Sequence, residues 1–383
     1  VIALGLTSAE LLLFNQSLTT HHSIRVTVQI LDLNHKYLAD LTANLIDGQV
    51  NIDADAENTR QLTMQLRDVD SQLQLDSRSP ADGALFFDRM VRVVYSVKSE
   101  LLPRWVDVPI FCGPITKMSR TADFINLEAM GKESLTMPPA LAYFSKSWPK
   151  GVKRTELITA IMYNYGGETR FSIPVTGETT PGPISMVAET NMWALAKAVS
   201  GGGTQLYYDG RGVLCRRTLP KTAAWTFKTG QGGNILTPPA IDYDISEVRN
   251  MVRVKGAVPQ GKTAPVTADV ALPKTHPLNS APLGRNGKHR VLFEIVEDDN
   301  VKTVEQARAL ATSRVNSLAL QGVEVKFDAI VAPHLEPEDI YVLQTSDFAM
   351  LVRYRQATIP LKSSVSSVGY LTKRALNKTG VRR

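Results

Sequence analysis

Period-2 alternation of apolar and polar residues dominates the chain. Val26, Val28 and Ile30 alternate with Thr27 and Gln29, and Leu62, Met64 and Leu66 alternate with Thr63, Gln65 and Arg67. Successive side chains of a strand point to opposite faces, so each run predicts a half-buried strand. Val91 to Val97 and Phe124 to Met130 read the same way, and Trp105 to Cys112 leads through Gly113-Pro114 into Ile115. Asp47-Gly48 reads as a tight turn between Leu45-Ile46 and Val50-Ile52. Many short strands with turn signals between them predict a sandwich or barrel. Residues 1–24 carry only a weak pattern and read as a lead-in.

The period changes in the middle of the chain. Leu157, Ile158, Ile161, Met162 and Tyr165 fall at helical spacing within Arg154 to Tyr165, and Gly166-Gly167 ends the run. Phe171 to Val175 reads as a short strand. Asn191 to Ser200 predicts a second helix, closed by Gly201, Gly202 and Gly203. A hairpin follows, Gln205 to Tyr208 and Val213 to Arg217, joined by Asp209-Gly210-Arg211-Gly212. Strands resume at Val248 to Gly256 and Val291 to Val296. Thr303 and Gln306 then form a capping box for a helix over 304–321. Its apolar face is Val304, Ala307, Leu310, Ala311, Val315 and Leu318, and Gly322 supplies the C-cap. Val323, Val325, Phe327, Ala329 and Val331 alternate with Glu324, Lys326 and Asp328; Pro333 and Pro337 stop that ladder, and Ile340 to Gln344 resumes it. Phe348 to Tyr354, Thr358 to Leu361 and Val365 to Thr372 complete the sheet. The fold class expected is mainly β with α/β insertions (α+β). The layout is a lead-in at 1–24, a β-domain at 25–135, a mixed helix–hairpin module at 136–240, a second β-domain at 241–372 and a basic tail at 373–383. Long loops at 72–88 and 257–290 are candidate contact segments.

Composition narrows this little. Of 383 residues, 43% are apolar and 21% charged, ordinary values for a folded protein. A net charge of +6 is mild and makes no case for a dedicated nucleic-acid binder. The basic cluster Lys373, Arg374, Lys378, Arg382 and Arg383 reads as a solvated tail, or else as a contact with an acidic partner or DNA. Cys112 and Cys215 lie far apart in strand-like runs and read as small buried hydrophobes of a reduced protein, or else as a disulfide pair. No run reaches the roughly 20 apolar residues that span a bilayer. Leu11 to Phe14 is too short for a signal-peptide core.

The candidate chemistry is thin. His21-His22 are adjacent, and sequence neighbours rarely converge on one metal ion. His334, between Pro333 and Pro337, reads as a hydrogen-bonded turn residue rather than a general base. Neither His-Glu-x-x-His nor Gly-x-Ser-x-Gly nor a phosphate-binding loop with lysine occurs. Gly201 to Gly203 follows a helix, the wrong order for a phosphate cradle. Carboxylates cluster at Asp53, Asp55 and Glu57, at Asp242 and Asp244, at Glu297, Asp298 and Asp299, and at Glu336, Glu338 and Asp339. All fall in predicted turns, where acidic residues serve the backbone. Trp193 reads as core, and the aromatic residues form no regular stripe. No catalytic, cofactor or metal residue is assigned. A hydrolase would need converging carboxylates or a zinc triad, and a receptor- or carbohydrate-binding module would need an exposed aromatic platform.

The order of parts carries a resemblance. Phe111-Cys112-Gly113-Pro114-Ile115 precedes Phe124-Ile125-Asn126-Leu127-Glu128-Ala129; Trp193-Ala194-Leu195-Ala196-Lys197 precedes the hairpin Leu206 to Leu214; Asn250-Met251-Val252-Arg253-Val254-Lys255-Gly256 comes next. The final helix and Pro333-His334-Leu335-Glu336-Pro337-Glu338-Asp339 close the series. Over residues 25–372 this resembles the baseplate hub, or tail hub, proteins of long-tailed bacteriophages, particularly minor tail proteins of actinobacterial siphophages. The resemblance implies two tube-forming β-barrels per chain with a smaller inserted module, and a homotrimeric ring joining a sixfold tail tube to a threefold tip. It implies a distal tail protein, the tape measure protein and tail-tip or fibre proteins as partners, with DNA passing through the channel. It implies a place at the tip of the virion tail and no catalytic residues. Many hubs continue into further tip domains where this chain has Lys373 to Arg383.

Overall fold

The structure is a computed structural model that describes residues 1–68, 73, 85–86, 89–201, 203–243, 248–259, 261–273, 279, 291–298, 301–318 and 323–371. Most of the expected loop at 72–88 and half of that at 257–290, together with Gly202, Asp244, His276, His289, Asp299, Gly322 and the basic tail, lie outside the described residues; within 257–290, Thr267–Ala271 is a strand rather than loop. The protein is mainly β. Its chain forms two compact units. One comprises Val1–Pro238, Phe327–Asp347 and Tyr354–Val368; the other is centred on Pro239–Lys326 and includes Phe348–Arg353.

The first unit opens with helix α1 (Ser8–Ser17), which falls within the expected lead-in. Thr7 Oγ1 accepts from the Glu10 N–H at 3.2 Å, and Glu10 Oε2 accepts from the Thr7 N–H at 2.8 Å. This capping box was present in the sequence as Thr-x-x-Glu. The run of leucines behind it has no apolar face of helical period, since only Phe14 and Ser17 are buried. Strands β1 (Ser23–Leu31), β2 (Tyr37–Asp40), β3 (Leu45–Asp53), β4 (Arg60–Arg67), β5 (Met90–Lys98), β6 (Val106–Thr121) and β7 (Phe124–Met130) follow.

Asp47-Gly48 makes no hairpin turn: both residues lie inside β3, beside a register shift between Leu45 and Asp47. A Cβ on Gly48 would stand 2.8 Å from both Met64 Cβ and Thr63 O. Here the glycine admits a neighbouring strand at close approach.

The module contributes β8 (Lys146–Trp148), α2 (Arg154–Thr159) with a π-helical turn over Ala160–Tyr165, β9 (Phe171–Ser172), β10 (Ile184–Met186), α3 (Met192–Ser200), β11 (Thr204–Tyr208) and β12 (Leu214–Thr218). Asn191 caps α3 by accepting from the Ala194 N–H at 3.0 Å. The module has its own core of Leu157, Ile158, Ile161, Met162, Leu206 and Leu214, with Trp193 stacked on Tyr208 at 5.6 Å. Next comes β13 (Ala223–Lys228).

The second unit holds β14 (Ala240–Tyr243), β15 (Met251–Lys255), β16 (Thr267–Ala271), β17 (Phe293–Glu297) and α4 (Val304–Leu318). Strand β15 pairs antiparallel with β16 and parallel with β17. Helix α4 buries Ala307, Ala311 and Val315 in a cluster with Val252, Val254 and Ala268. Thr303 and Gln306 make the expected capping box, with bonds of 3.2 Å in both directions. Val304 is 44% exposed, so the buried stripe is narrower than its spacing predicts. The chain returns through β18 (Val323–Ile330), whose first half pairs with β14, and continues as β19 (Ile340–Gln344), β20 (Ala349–Arg353), β21 (Gln356–Pro360) and β22 (Val365–Leu371).

Within the first unit the sheet order is β21–β3–β4–β7–β6–β5–β1–β2, antiparallel at every step. Alternation in sequence becomes alternation in burial: Leu62 and Leu66 on β4, Val91 and Val93 on β5, and Ile125 and Leu127 on β7 are buried to within 1%. Strand β6 serves two partners, meeting β5 through Val106–Pro114 and β7 from Ile115 onward. Gly113 sits just before the handover, and a Cβ there would stand 1.9 Å from Met130 O. Separately, β13 pairs parallel with β19, and Phe227 packs edge-on against Tyr341 at 5.1 Å and Phe327 at 5.2 Å. Among the described residues no helix is long and apolar enough to cross a membrane.

Because the Met130 carbonyl is backbone and cannot swing aside, Gly113→Ala is expected to destabilise the first unit by about 1–3 kcal/mol. Urea unfolding measures this. A variant as stable as the parent would show that the strand handover does not depend on the missing Cβ.

Candidate functional site

The hairpin tip Asp209-Gly210-Arg211-Gly212 is where the module meets the strands. Asp209 Oδ1 accepts from the N–H groups of Arg211 (2.9 Å) and Val213 (3.0 Å), which shapes the turn. Gly212 has φ +70°. A Cβ on Gly210 would lie 2.0 Å from Pro109 O, and one on Gly212 would lie 3.0 Å from Cys112 Sγ. Both glycines let the tip lie directly on β6.

Behind the tip is a buried ion-pair junction. Arg60, at the start of β4 and 4% exposed, donates from Nη1 to Tyr208 O and from Nη2 to Glu336 Oε2, both at 2.5 Å. Glu336, 2% exposed, also accepts from the Gly210 N–H at 3.3 Å. Asp339 Oδ2 accepts from the Glu336 N–H at 2.8 Å, and its Oδ1 accepts from Arg217 Nη1 at 2.8 Å. Arg217 Nη2 donates to Pro337 O at 2.7 Å. Arg355 pairs with Asp55 and with Glu338, whose φ is +71°. The turn Pro333–Asp339 is therefore clasped by arginines from three other segments. Glu336 and Asp339 lie in a turn and accept from backbone N–H groups, as expected, and they are in addition buried partners of arginines. Burial opposes the charge on Arg60, but Glu336 outweighs it and holds the guanidinium above its ordinary pKa. Burial pushes the Glu336 carboxyl up, and Arg60 draws it back.

His334 in that turn is also buried, and among the described residues neither ring nitrogen has a hydrogen-bond partner. Its ring packs edge-on against Phe14 at 5.5 Å and Trp225 at 5.2 Å, so aromatic packing replaces the hydrogen bonding expected of it. Burial pushes its pKa down to about 3.

A second polar cluster flanks the tip. Lys132 Nζ meets Glu168 Oε2 at 2.6 Å, Gly212 O at 3.2 Å and His35 Nε2 at 3.1 Å. Arg170 Nη1 lies 2.9 Å from both His35 Nδ1 and Arg211 O. Burial first, then Lys132 and Arg170, push His35 down to about 4. Cys112 and Cys215 are free and buried, and burial pushes their thiols up to about 11 and about 12, far from a reactive thiolate.

The remaining sequence candidates stay apart. His21 and His22 line an open cleft with Lys98 and Glu100. Among the described residues no group of three or more His, Cys, Asp or Glu is placed to hold a metal ion. Gly201 follows α3, and the Arg154 guanidinium fills the space beside it while donating to Val199 O at 2.7 Å. Trp193 is core. Sequence reasoning missed Arg60, Arg217 and Arg355, because Arg60 and Glu336 stand 276 positions apart and Arg217 and Asp339 stand 122 apart. Chemically, the junction is a set of mutually paired charges suited to holding segments together, although Arg60 Nε has no hydrogen-bond partner among the described residues.

No protein-family model matches the sequence, and no curated protein does. Solved structures match along almost the whole chain. The 43 kDa tail protein of a Shewanella oneidensis prophage aligns with a TM-score of 0.58 and 11% identity, covering 92% of this chain and 99% of that one. A tail protein from Neisseria meningitidis gives 0.60 and 10%, covering 91% and 96%. A prophage tail protein from Listeria monocytogenes gives 0.53 and 10%, covering 93% and 96%. At such identities the likeness is one of fold, and it extends over 91–93% of this chain.

Two outcomes follow from the geometry. Arg60→Met strands Glu336 as a buried unpaired charge and is expected to cost about 3–5 kcal/mol, with most of it recovered in Arg60→Met/Glu336→Leu. Denaturant unfolding of the single and double variants checks this; additive losses would dismiss the clasp. The second concerns acid. His334 has its folded pKa depressed from 6.5 to about 3, so its contribution is complete above pH 6.5 and is lost as pH falls toward 3. His334→Phe keeps the aromatic packing and is expected to flatten the stability–pH curve there by up to about 1.4 kcal/mol per pH unit. An unchanged acid limb would contradict it.

Proposed function

We propose that this chain is a structural subunit of a bacteriophage tail, specifically a tail hub of siphophage type. The observation that carries the reading is the likeness of fold to three tail proteins, each covered over 96% or more of its length. The junction at Arg60, Glu336 and Arg217 supports it, because its charges are already paired with one another and bind distant segments into one body. In this reading three copies close a ring by repeating one heterologous contact. The ring joins the sixfold tail tube and a distal tail protein to the threefold tip. The tape measure protein docks at the channel, tail-tip or fibre proteins attach beyond it, and the genome passes through on ejection. In this reading the two hub β-domains draw on residues 25–135 and 241–372, with Phe327–Asp347 and Tyr354–Val368 of the second stretch folded into the first unit; the module 136–240 lies between them in sequence, and the protein performs no catalysis.

Native mass measurement of the purified protein across a concentration series tests the ring, with a homotrimer expected. Imaging of particles containing the chain tests its place at the tail tip. A monomer at every concentration that also clears a suspension of bacterial cell walls would replace this reading with that of a tail-associated hydrolase.

A further inference from the structure

The cluster around His35 contains a conflict of donors. Lys132 has three protons and three acceptors facing it: Glu168 Oε2, Gly212 O and His35 Nε2. In the Nε2–H tautomer the ring proton would face Lys132 Nζ; with Nε2 accepting from Lys132, the single proton of the neutral imidazole sits on Nδ1. That proton faces Arg170 Nη1 at 2.9 Å, and a guanidinium only donates. The other neighbour of Nδ1 is Cys112 Sγ at 3.9 Å, a weak acceptor.

Positive charge on this side also lacks a partner. Arg170 donates to Arg211 O at 2.9 Å and makes no ion pair among the described residues. Arg92, in register with Cys112 across β5 and β6, donates from Nε to Gln29 Oε1 at 3.0 Å and likewise makes no ion pair among the described residues. His35, Arg92 and Arg170 are all half-buried, within reach of solvent. Asp32 Oδ1 is engaged by the N–H groups of Asn34 (2.9 Å) and Lys36 (2.8 Å). Burial of unpaired charge is unfavourable, and an acceptor shared by the two facing donors would resolve both problems.

We propose that His35 and Arg170, with Arg92 adding positive charge, form a binding site for an oxyanion, which accepts from His35 Nδ1–H and Arg170 Nη1–H together. The shared chemistry is that of a phosphate or a carboxylate. The site is separate from the Arg60–Glu336 junction and does not depend on the assembly role proposed above.

The test titrates the full chain with sodium phosphate, and in a parallel arm with sodium acetate, against sodium chloride at matched ionic strength near neutral pH. Thermal unfolding and calorimetry are the readouts. A saturable rise in unfolding temperature is expected with phosphate and not with chloride; a like response to acetate shows that carboxylates are accepted too. Arg170→Gln and Arg92→Gln are each expected to weaken phosphate binding about tenfold or more, while Arg120→Gln, which removes a cation paired with Asp68, leaves it unchanged. In chloride alone, Arg170→Gln is expected to unfold no earlier than the parent, since the facing donor is gone; a merely structural arginine would lower the midpoint. Equal responses to phosphate and chloride, or undiminished phosphate binding in Arg92→Gln and Arg170→Gln, would overturn the proposal, and Arg92→Gln decides it alone if the other variant does not fold.

Discussion

The pairing of Arg60 with Glu336 is the constraint on which the arrangement of the first unit depends. A guanidinium and a carboxylate removed from water are tolerated only when each keeps its partner and its remaining hydrogen bonds. Arg60 is held on β4, Glu336 on the turn after β18, and the Tyr208 carbonyl and Gly210 N–H belong to the module's hairpin. None of the three segments can leave without exposing a buried charge or polar group in the others. Arg217 and Arg355 repeat the device on the same turn, through Asp339 and Glu338. The apolar cores stabilise each layer, but apolar burial is non-directional. These ion pairs specify which layer meets which segment.

Close backbone approach makes the junction reachable. Gly210 brings the hairpin tip against Pro109, and Gly113 brings β6 against Met130 at the point where the strand changes partners. A Cβ at either position would lie about 2 Å from a backbone carbonyl oxygen, so the two backbones would have to move apart. The glycines and the ion pairs are thus one mechanism: the first set the distance and the second use it.

Much of the architecture was legible in local pattern. The alternation at Leu62 to Leu66 and Val91 to Val97 became strands with buried and open faces, Thr303 and Gln306 capped their helix, and Asn191 capped another. Helix α1 was legible in principle through Thr7 and Glu10, but its leucines lacked the period that would have flagged it. Asp47-Gly48 misled because the same dipeptide serves a hairpin turn and a close strand contact, and only the neighbouring Met64 distinguishes them.

The sequence by itself determined the kinds of element and where most of them begin and end, because capping, turn chemistry and alternation act over a few residues. The tertiary structure alone decided the partners of Arg60, Arg217 and Arg355, the burial of Glu336, Asp339 and His334, and the donors gathered at His35. Those contacts join positions that carry no local signal of one another, and the free energy that selects them comes from desolvation, which exists only once the layers have closed.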